Sequence, residues 1–367
     1  MTRRAITSFF ADLIDHDAAA DGPPPEQLWA FSRWCLAGSF GVLRFAMAAS
    51  LTLGILEVTV MAMLGFIVDA AVEAENSNGF WADNWPLLII WVLLFVVARP
   101  LAAGVANSIQ SLAIGPNLFK LVLSRLHRHT LGQSVDFFDN DFAGRISQKQ
   151  MQTSRALVDV VVDIVAAMTS AASTLIASVL FIGSVDVRLT VIVAVWLACY
   201  YFFLRAFLPQ IRRLSARRAA ARASVTGQIV DTITNIKTVK LFASSDHEDE
   251  AALDALGQFR ERALDWGETS VLFRVLLVFI AGTLPTVVVT FTLFLISTGS
   301  ASVGQLAATG AMAVRLSQMT GFVSFTFMNI YGNIGEIEDG MKTLAPPHTL
   351  VDATEAAPLA NRPTVSF

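Results

Sequence analysis

Glu57, Arg99 and Arg315 each stand inside a long apolar run. A formal charge at a bilayer centre costs about 2.5 kcal/mol or more, so such residues face a cavity or one another. The three therefore divide between two chemistries. One is a structural ion pair of Glu57 with Arg99 or Arg315. The other is contact with a polar or anionic group passing through the membrane. Gln318, Asn329 and Asn333 follow Arg315 on the same run and are candidates to line the same cavity. Asp159 and Asp163 are one helical turn apart. Buried, they would suit a proton relay; solvated, they form an ordinary wet face. His127 and His129, two residues apart, point to different helix faces. Cys35 and Cys199 have no metal-ligand spacing, so no metal site is expected.

The elements that must hold these residues are set by composition. Of 367 residues, 54% are hydrophobic and only 15% charged, against roughly 25% charged in ordinary soluble domains. Mean hydropathy is +0.58. A net charge of -4 offers no basic field for nucleic acid. Two cysteines cannot build a disulfide scaffold. These numbers predict a polytopic, all-helical membrane protein. Six runs are long enough to cross, near 40–68, 86–110, 157–184, 187–208, 271–297 and 304–331. Pro100 and Pro285 lie within runs and predict kinks, because proline removes a backbone donor.

The intervals between runs alternate in length and charge. Residues 69–85 hold Asp69, Glu73, Glu75 and Asp83 and no Lys or Arg. The interval after the second run carries Lys120, Arg125, Arg128, Arg145, Lys149 and Arg155. The interval after the fourth carries Arg212, Arg213, Arg217, Arg218, Arg222, Lys237, Lys240, Arg260 and Arg262. Basic residues stay on the cytoplasmic side, which places both long intervals, and both termini, inside. Asp12, Asp15, His16 and Asp17 interrupt what would be the apolar core of a signal peptide. After Pro23, Pro24 and Pro25, the stretch EQLWAFSRWCL has the Trp content of an interfacial elbow helix.

The long intervals keep helical period. A helix from Pro86 to Leu131 would be roughly 70 Å long, more than twice the hydrocarbon thickness. Paired helices must therefore extend beyond the membrane as stalks and turn at two tips. The first tip is SVDFFDNDFAGRISQKQ. Asp136 can cap a short helix there and Gly144 can relax a turn. Phe137, Phe138 and Phe142 either pack on neighbouring stalk helices or anchor a cytoplasmic partner. At the second tip Ile229, Ile233, Ile236 and Val239 recur at helical spacing, with Asp231, Thr232 and Asn235 suited to turns or caps.

FFDNDFAGRISQK resembles the first intracellular loop of ABC exporters, and ITNIKTVKLFASSDHE resembles the second. Asn235 stands where that family usually has Gly, and Asp246 where it has Glu. LEVTVMAMLGFIVDA, SVDVRLTVIV and STGSASVGQLAA resemble the end of its first span and its third-to-fourth and fifth-to-sixth outer turns. The resemblance covers about 40–344 and implies the half-transporter form of the family's transmembrane domain. It implies a fold of six transmembrane helices extended into cytoplasmic stalks with two coupling helices. The first coupling helix would hold Asp136, Phe137, Phe138, Asp139, Asn140, Phe142, Gly144 and Arg145. The second would hold Asp231, Thr232, Asn235, Ile236 and Lys237. It divides the chain into a cytoplasmic and interfacial segment over 1–38, a six-helix domain over 39–335, and a linker over 336–367 toward a nucleotide-binding domain.

Lys120, Lys149, Lys237, Lys240 and Lys342 do not follow a Gly, so no P-loop is present. The resemblance therefore implies that this chain binds no cofactor and that ATP and Mg belong to a nucleotide-binding domain outside it. It further implies a second transmembrane subunit forming a homodimer, contact with membrane lipid, an unidentified exported substrate, and the bacterial plasma (inner) membrane. Two other classes remain open at this level: a secondary transporter or channel, and a truncated remnant that does not transport.

Overall fold

The computed structural model describes residues 9–74, 77–139, 143–242 and 245–349. Among these the chain is helical, with no strand. The helices are α1 (Leu28–Cys35), α2 (Phe40–Glu73), α3 (Ser77–Val92), α4 (Arg99–Ser108), α5 (Gly115–Leu131), α6 (Val135–Asp139), α7 (Ala143–Val162), α8 (Thr169–Val185), α9 (Val187–Thr234), α10 (Ile236–Phe242), α11 (Ser245–Ser297) and α12 (Val303–Leu344). Three π-helical turns, Leu93–Ala98, Ile109–Ile114 and Asp163–Met168, join α3 to α4, α4 to α5 and α7 to α8.

Five helical stretches are long and apolar enough to cross a membrane: Phe40–Glu73, Asp83–Leu131, Ala143–Val185, Val187–Thr234 and Asp249–Ser297. The second is 49 residues long, consistent with the continuous stalk expected from Pro86 to Leu131. The sixth run lies on α12, which has 42 residues but is not among the five. Its length suffices; its apolarity does not, because Gln305, Arg315, Gln318, Asn329 and Asn333 interrupt it. Ala308, Met312, Ala313 and Leu316 of α12 are buried against protein, so this helix needs less apolar surface toward lipid.

The chain divides into two compact units. The first takes residues 1–53, 101–170 and 329–367. Its core is read from α5, where Leu118, Leu121, Val122, Arg125, Leu126 and His129 are buried at i, i+3, i+4, i+7, i+8 and i+11. That spacing makes one helical stripe. It packs with Ile146, Leu157, Val158 and Val161 of α7, Ile337, Met341 and Leu344 of α12, and Ile14 and Phe31 of the N-terminal segment. Each fully buried Leu contributes about 1.5–3 kcal/mol.

The second unit takes residues 54–100 and 171–328. Long helices α9 and α11 pack along each other, with Trp196 Nε1 donating to Ile280 O at 2.8 Å and the Phe203 and Phe273 rings stacked at 5.2 Å. Tyr200 donates from its hydroxyl to Thr320 O on α12 at 2.9 Å. Pro285 lies within α11, which continues through it. At the start of α12, Ser302 Oγ accepts from Gln305 N at 3.0 Å while Gln305 Oε1 accepts from Ser302 N at 3.0 Å. This is a reciprocal capping box. Asp69 of α2 completes it, accepting from Ser302 Oγ and Gly304 N, both at 2.6 Å. A Cβ on Gly65 would meet Gly304 O at 2.6 Å, so glycine lets α2 and α12 approach there.

Candidate functional site

Within the second unit, Glu57, Arg99 and Arg315 come together from three helices. Glu57 sits midway along α2. Arg315 of α12 places Nε at 2.9 Å and Nη2 at 2.5 Å from Glu57 Oε2. Arg99 reaches the other carboxylate oxygen, Oε1, from Nη2 at 3.5 Å. Its position follows from local backbone chemistry. Pro100 cannot donate to the helix, and the preceding turn is π-helical. Arg99 N–H therefore bonds to Leu94 O, five residues back. A π turn adds a residue to the helix and shifts the face presented. The Arg99 guanidinium lies 5.6 Å from the Phe95 ring centroid.

The Glu57 side chain is 11% exposed, against 42% for Arg99 and 36% for Arg315. A nearly buried carboxylate thus sits between two half-open guanidiniums, and the cluster carries one excess positive charge. Gln318, one turn beyond Arg315, is exposed. Asn329 and Asn333 belong to the first unit, where they are exposed and half-buried.

The first tip lies in the first unit. Helix α6 spans five residues, with Asp136 inside its first turn rather than ahead of it. Phe137 N–H donates to Ser134 O at 3.1 Å, so Ser134 holds the position expected of Asp136. The aromatics part company here. Phe137 packs against the core of its unit, whereas Phe138 is exposed, their rings edge to face at 5.3 Å. Asp139 closes α6, and Gly144 and Arg145 open α7 on exposed positions. Asn140 and Phe142 lie outside the described residues.

The second tip lies in the second unit. Asn235 ends α9, its N–H and Nδ2 donating to Asp231 O at 3.0 and 3.1 Å and Nδ2 also to Asp231 Oδ1 at 2.9 Å. Thr232 Oγ1 donates to Gln228 O at 3.0 Å. Helix α10 follows at once, starting at Ile236 and Lys237. Ile229, Ile233, Ile236 and Leu241 are all exposed. Asp246 lies among residues whose side chains fall outside the described set.

In the sequence Arg125 stands out only as a charge and His129 only by its spacing from His127. In the structure Arg125 is 3% exposed and meets three backbone carbonyls. Its Nη1 donates to Trp34 O and Cys35 O, both at 2.9 Å, and Nε donates to Ala18 O at 3.1 Å. The first two are end-of-helix carbonyls of α1, which lack intrahelical donors. Arg125 therefore fastens the end of α1. Burial pushes the Cys35 thiol far above its ordinary pKa and leaves it an inert apolar group. His129 and His348 stack at 4.4 Å, with Nε2 of His129 3.0 Å from Pro346 O and Gln133 Nε2 donating to the same oxygen at 2.8 Å. These contacts hold the segment leaving α12. The available signal was the apolar stripe of α5, whose period includes both polar residues. Asp159 is exposed, 3.9 Å from Arg155, and Asp163 opens the third π turn.

The sequence model of the ABC transporter transmembrane region matches residues 43–319. An uncharacterized ABC transporter ATP-binding protein of Haemophilus influenzae is 28% identical over 363 residues, covering 96% of this chain and 58% of that protein. A solved bacterial Atm1-family ABC exporter with ATP bound superposes with a TM-score of 0.69 at 15% identity, covering 87% of this chain and 57% of that one. The likeness to that structure is one of fold. The chain spans less than six-tenths of the length of either protein.

Proposed function

The chain belongs to the ABC transporter transmembrane family, and from that premise we propose that it forms the membrane pathway of an ATP-driven exporter and couples it to nucleotide-binding domains. Two such subunits enclose the pathway, as a homodimer in the bacterial plasma membrane with both termini cytoplasmic. Lipid surrounds the spans, and ATP and Mg are held by the nucleotide-binding domains. The basic residues of the two long intervals, against the acidic interval at 69–85, support this orientation.

The observation that carries the reading is apolar exposure at both tips. Phe138 of α6 is 40% exposed, and Ile233 and Leu241 at the second tip are 64% and 74% exposed. Both tips stand on basic intervals that the orientation puts in water. Apolar side chains gathered there are costly unless a protein surface covers them. Each tip is a helix end or a short helix, able to seat in a groove and transmit a displacement along the stalk attached to it. Coupling then needs no chemistry from this chain. Closure of the ATPase domains moves the tips, and the long helices carry the movement to the pathway.

The test is a co-expressed ATPase domain from a full-length relative, with single cysteines placed at Phe138 and at Asn235. Crosslinks from both positions are expected. Their complete absence in an assembled complex sinks the coupling role. Transport that persists with an ATPase-inactive partner but collapses with an uncoupler would replace ATP drive with an ion gradient.

A further inference from the structure

We propose that Arg99 and Arg315, held by Glu57, form an anion subsite inside the membrane that takes the carboxylate, sulfonate or phosphate group of an amphiphile. This rests on the exporter reading for its purpose but not for its geometry.

A structural ion pair within an apolar region needs one cation for one carboxylate. Here two guanidiniums meet one carboxylate, and among the described residues Glu57 is the one acid paired with either. A net positive charge in hydrocarbon is unfavourable unless an anion or water meets it. The two arginines are also not equivalent. Arg315 places both Nε and Nη2 on Oε2, at 2.9 and 2.5 Å, and is the fixed partner. Arg99 holds Oε1 through one long contact at 3.5 Å. A guanidinium has five N–H donors, and the Arg99 side chain is 42% exposed. Its fork is therefore the one free to receive a ligand, with a planar geometry suited to two-oxygen anions.

The surroundings suit the rest of an amphiphile. Phe95 and Val96, close to Arg99 in sequence, are exposed apolar side chains. Gln318 adds an exposed amide one turn from Arg315. Glu57 has two effects. It keeps the arginines together when the subsite is empty, and it competes with the arriving anion for Arg99. The long Arg99 contact is the one such an anion displaces.

The experiment uses the chain in phosphatidylcholine nanodiscs, without nucleotide, so that its failure leaves the exporter reading standing. The probe is parinaric acid, ionised at the working pH, and its methyl ester as a neutral match. Energy transfer from the tryptophans reports binding. The acid is expected to bind more tightly than the ester, by about tenfold or more, the usual scale of one charge-assisted hydrogen bond. Arg99→Gln should remove most of that preference and Arg99→Lys should keep part of it. Glu57→Gln should raise it, because both guanidiniums are released. The two glutamine variants therefore move in opposite directions, which lost folding cannot imitate. Competition by added phosphatidylglycerol would assign the anion to the bilayer, and its absence to a free amphiphile; either supports the subsite. Equal binding of acid and ester by the unaltered chain, or a fall in preference with Glu57→Gln, overturns it.

Discussion

Each of the two units holds an arginine in apolar surroundings, and they do so by opposite means. Arg125 in the first unit is sealed, and its partners are uncharged carbonyls of Ala18, Trp34 and Cys35. Arg315 in the second is about a third exposed and faces the carboxylate of Glu57, with Arg99 on its other oxygen. The first arrangement turns three of the five guanidinium donors onto backbone oxygens inside a site closed to solvent. The second leaves charge and donors accessible. The same side chain is a fastener where backbone oxygens enclose it and keeps donors open to its surroundings where they do not.

The largest expected effect tests the sealed case. Arg125→Ala removes three bonds to backbone carbonyls, leaving Trp34 O with only a 3.4 Å bond from Ala37 N–H, and opens a cavity, so it should destabilise the chain by about 3 kcal/mol or more, read as a fall in the melting midpoint in detergent. Arg125→Lys should recover little, since one ammonium cannot span the oxygens that a planar fork reaches. A wild-type midpoint for either variant would break the comparison.

Next comes the open case. Arg315→Ala removes two bonds to Glu57 but leaves Arg99 nearby, so a cost of about 1–3 kcal/mol is expected. A double-mutant cycle with Glu57→Ala should give a coupling of about 0.5–3 kcal/mol, as residues in contact show. Strict additivity would mean the pair is not formed.

The first tip offers a sharper contrast on a smaller scale. Phe137→Ala should cost about 1–2 kcal/mol of stability, being half-buried against the core. Phe138→Ala should leave stability unchanged and reduce transport-stimulated ATPase activity in the complete transporter. Equal melting losses from both, with coupling intact, would make Phe138 another packing residue.

The smallest effect concerns the segment that Arg125 fastens. Asp17 meets Lys120 at 3.0 Å, and that hydrogen bond holds its carboxyl below the ordinary value of 3.8. Its contribution is therefore present above that value and lost as pH falls through the lower, folded-state value. Because the Asp17 side chain is 60% exposed and the pair is screened by water, Asp17→Asn should lower the melting midpoint at neutral pH only slightly. A loss approaching that of Arg125→Ala would show that the surface pair, not the buried arginine, secures the N-terminal segment.

Local chemistry made much of this legible from residues alone. The apolar runs, the basic intervals and the helical stripe of α5 are one-dimensional signals, because a helix repeats its faces at fixed spacing. The aromatic cluster of the first tip was legible as a cluster, with its two roles undivided. The capping box of Ser302 and Gln305 is local, but its partner Asp69 lies 233 residues away, beyond any one-dimensional signal. Tertiary structure decided the rest. It assigned Phe137 to the core and Phe138 to the surface, placed carbonyls around Arg125, and set both arginines on one carboxylate instead of one. Each outcome depends on which faces of distant helices meet. That register is fixed by packing, and at Arg99 by a π turn before Pro100, neither of which spacing along the chain encodes.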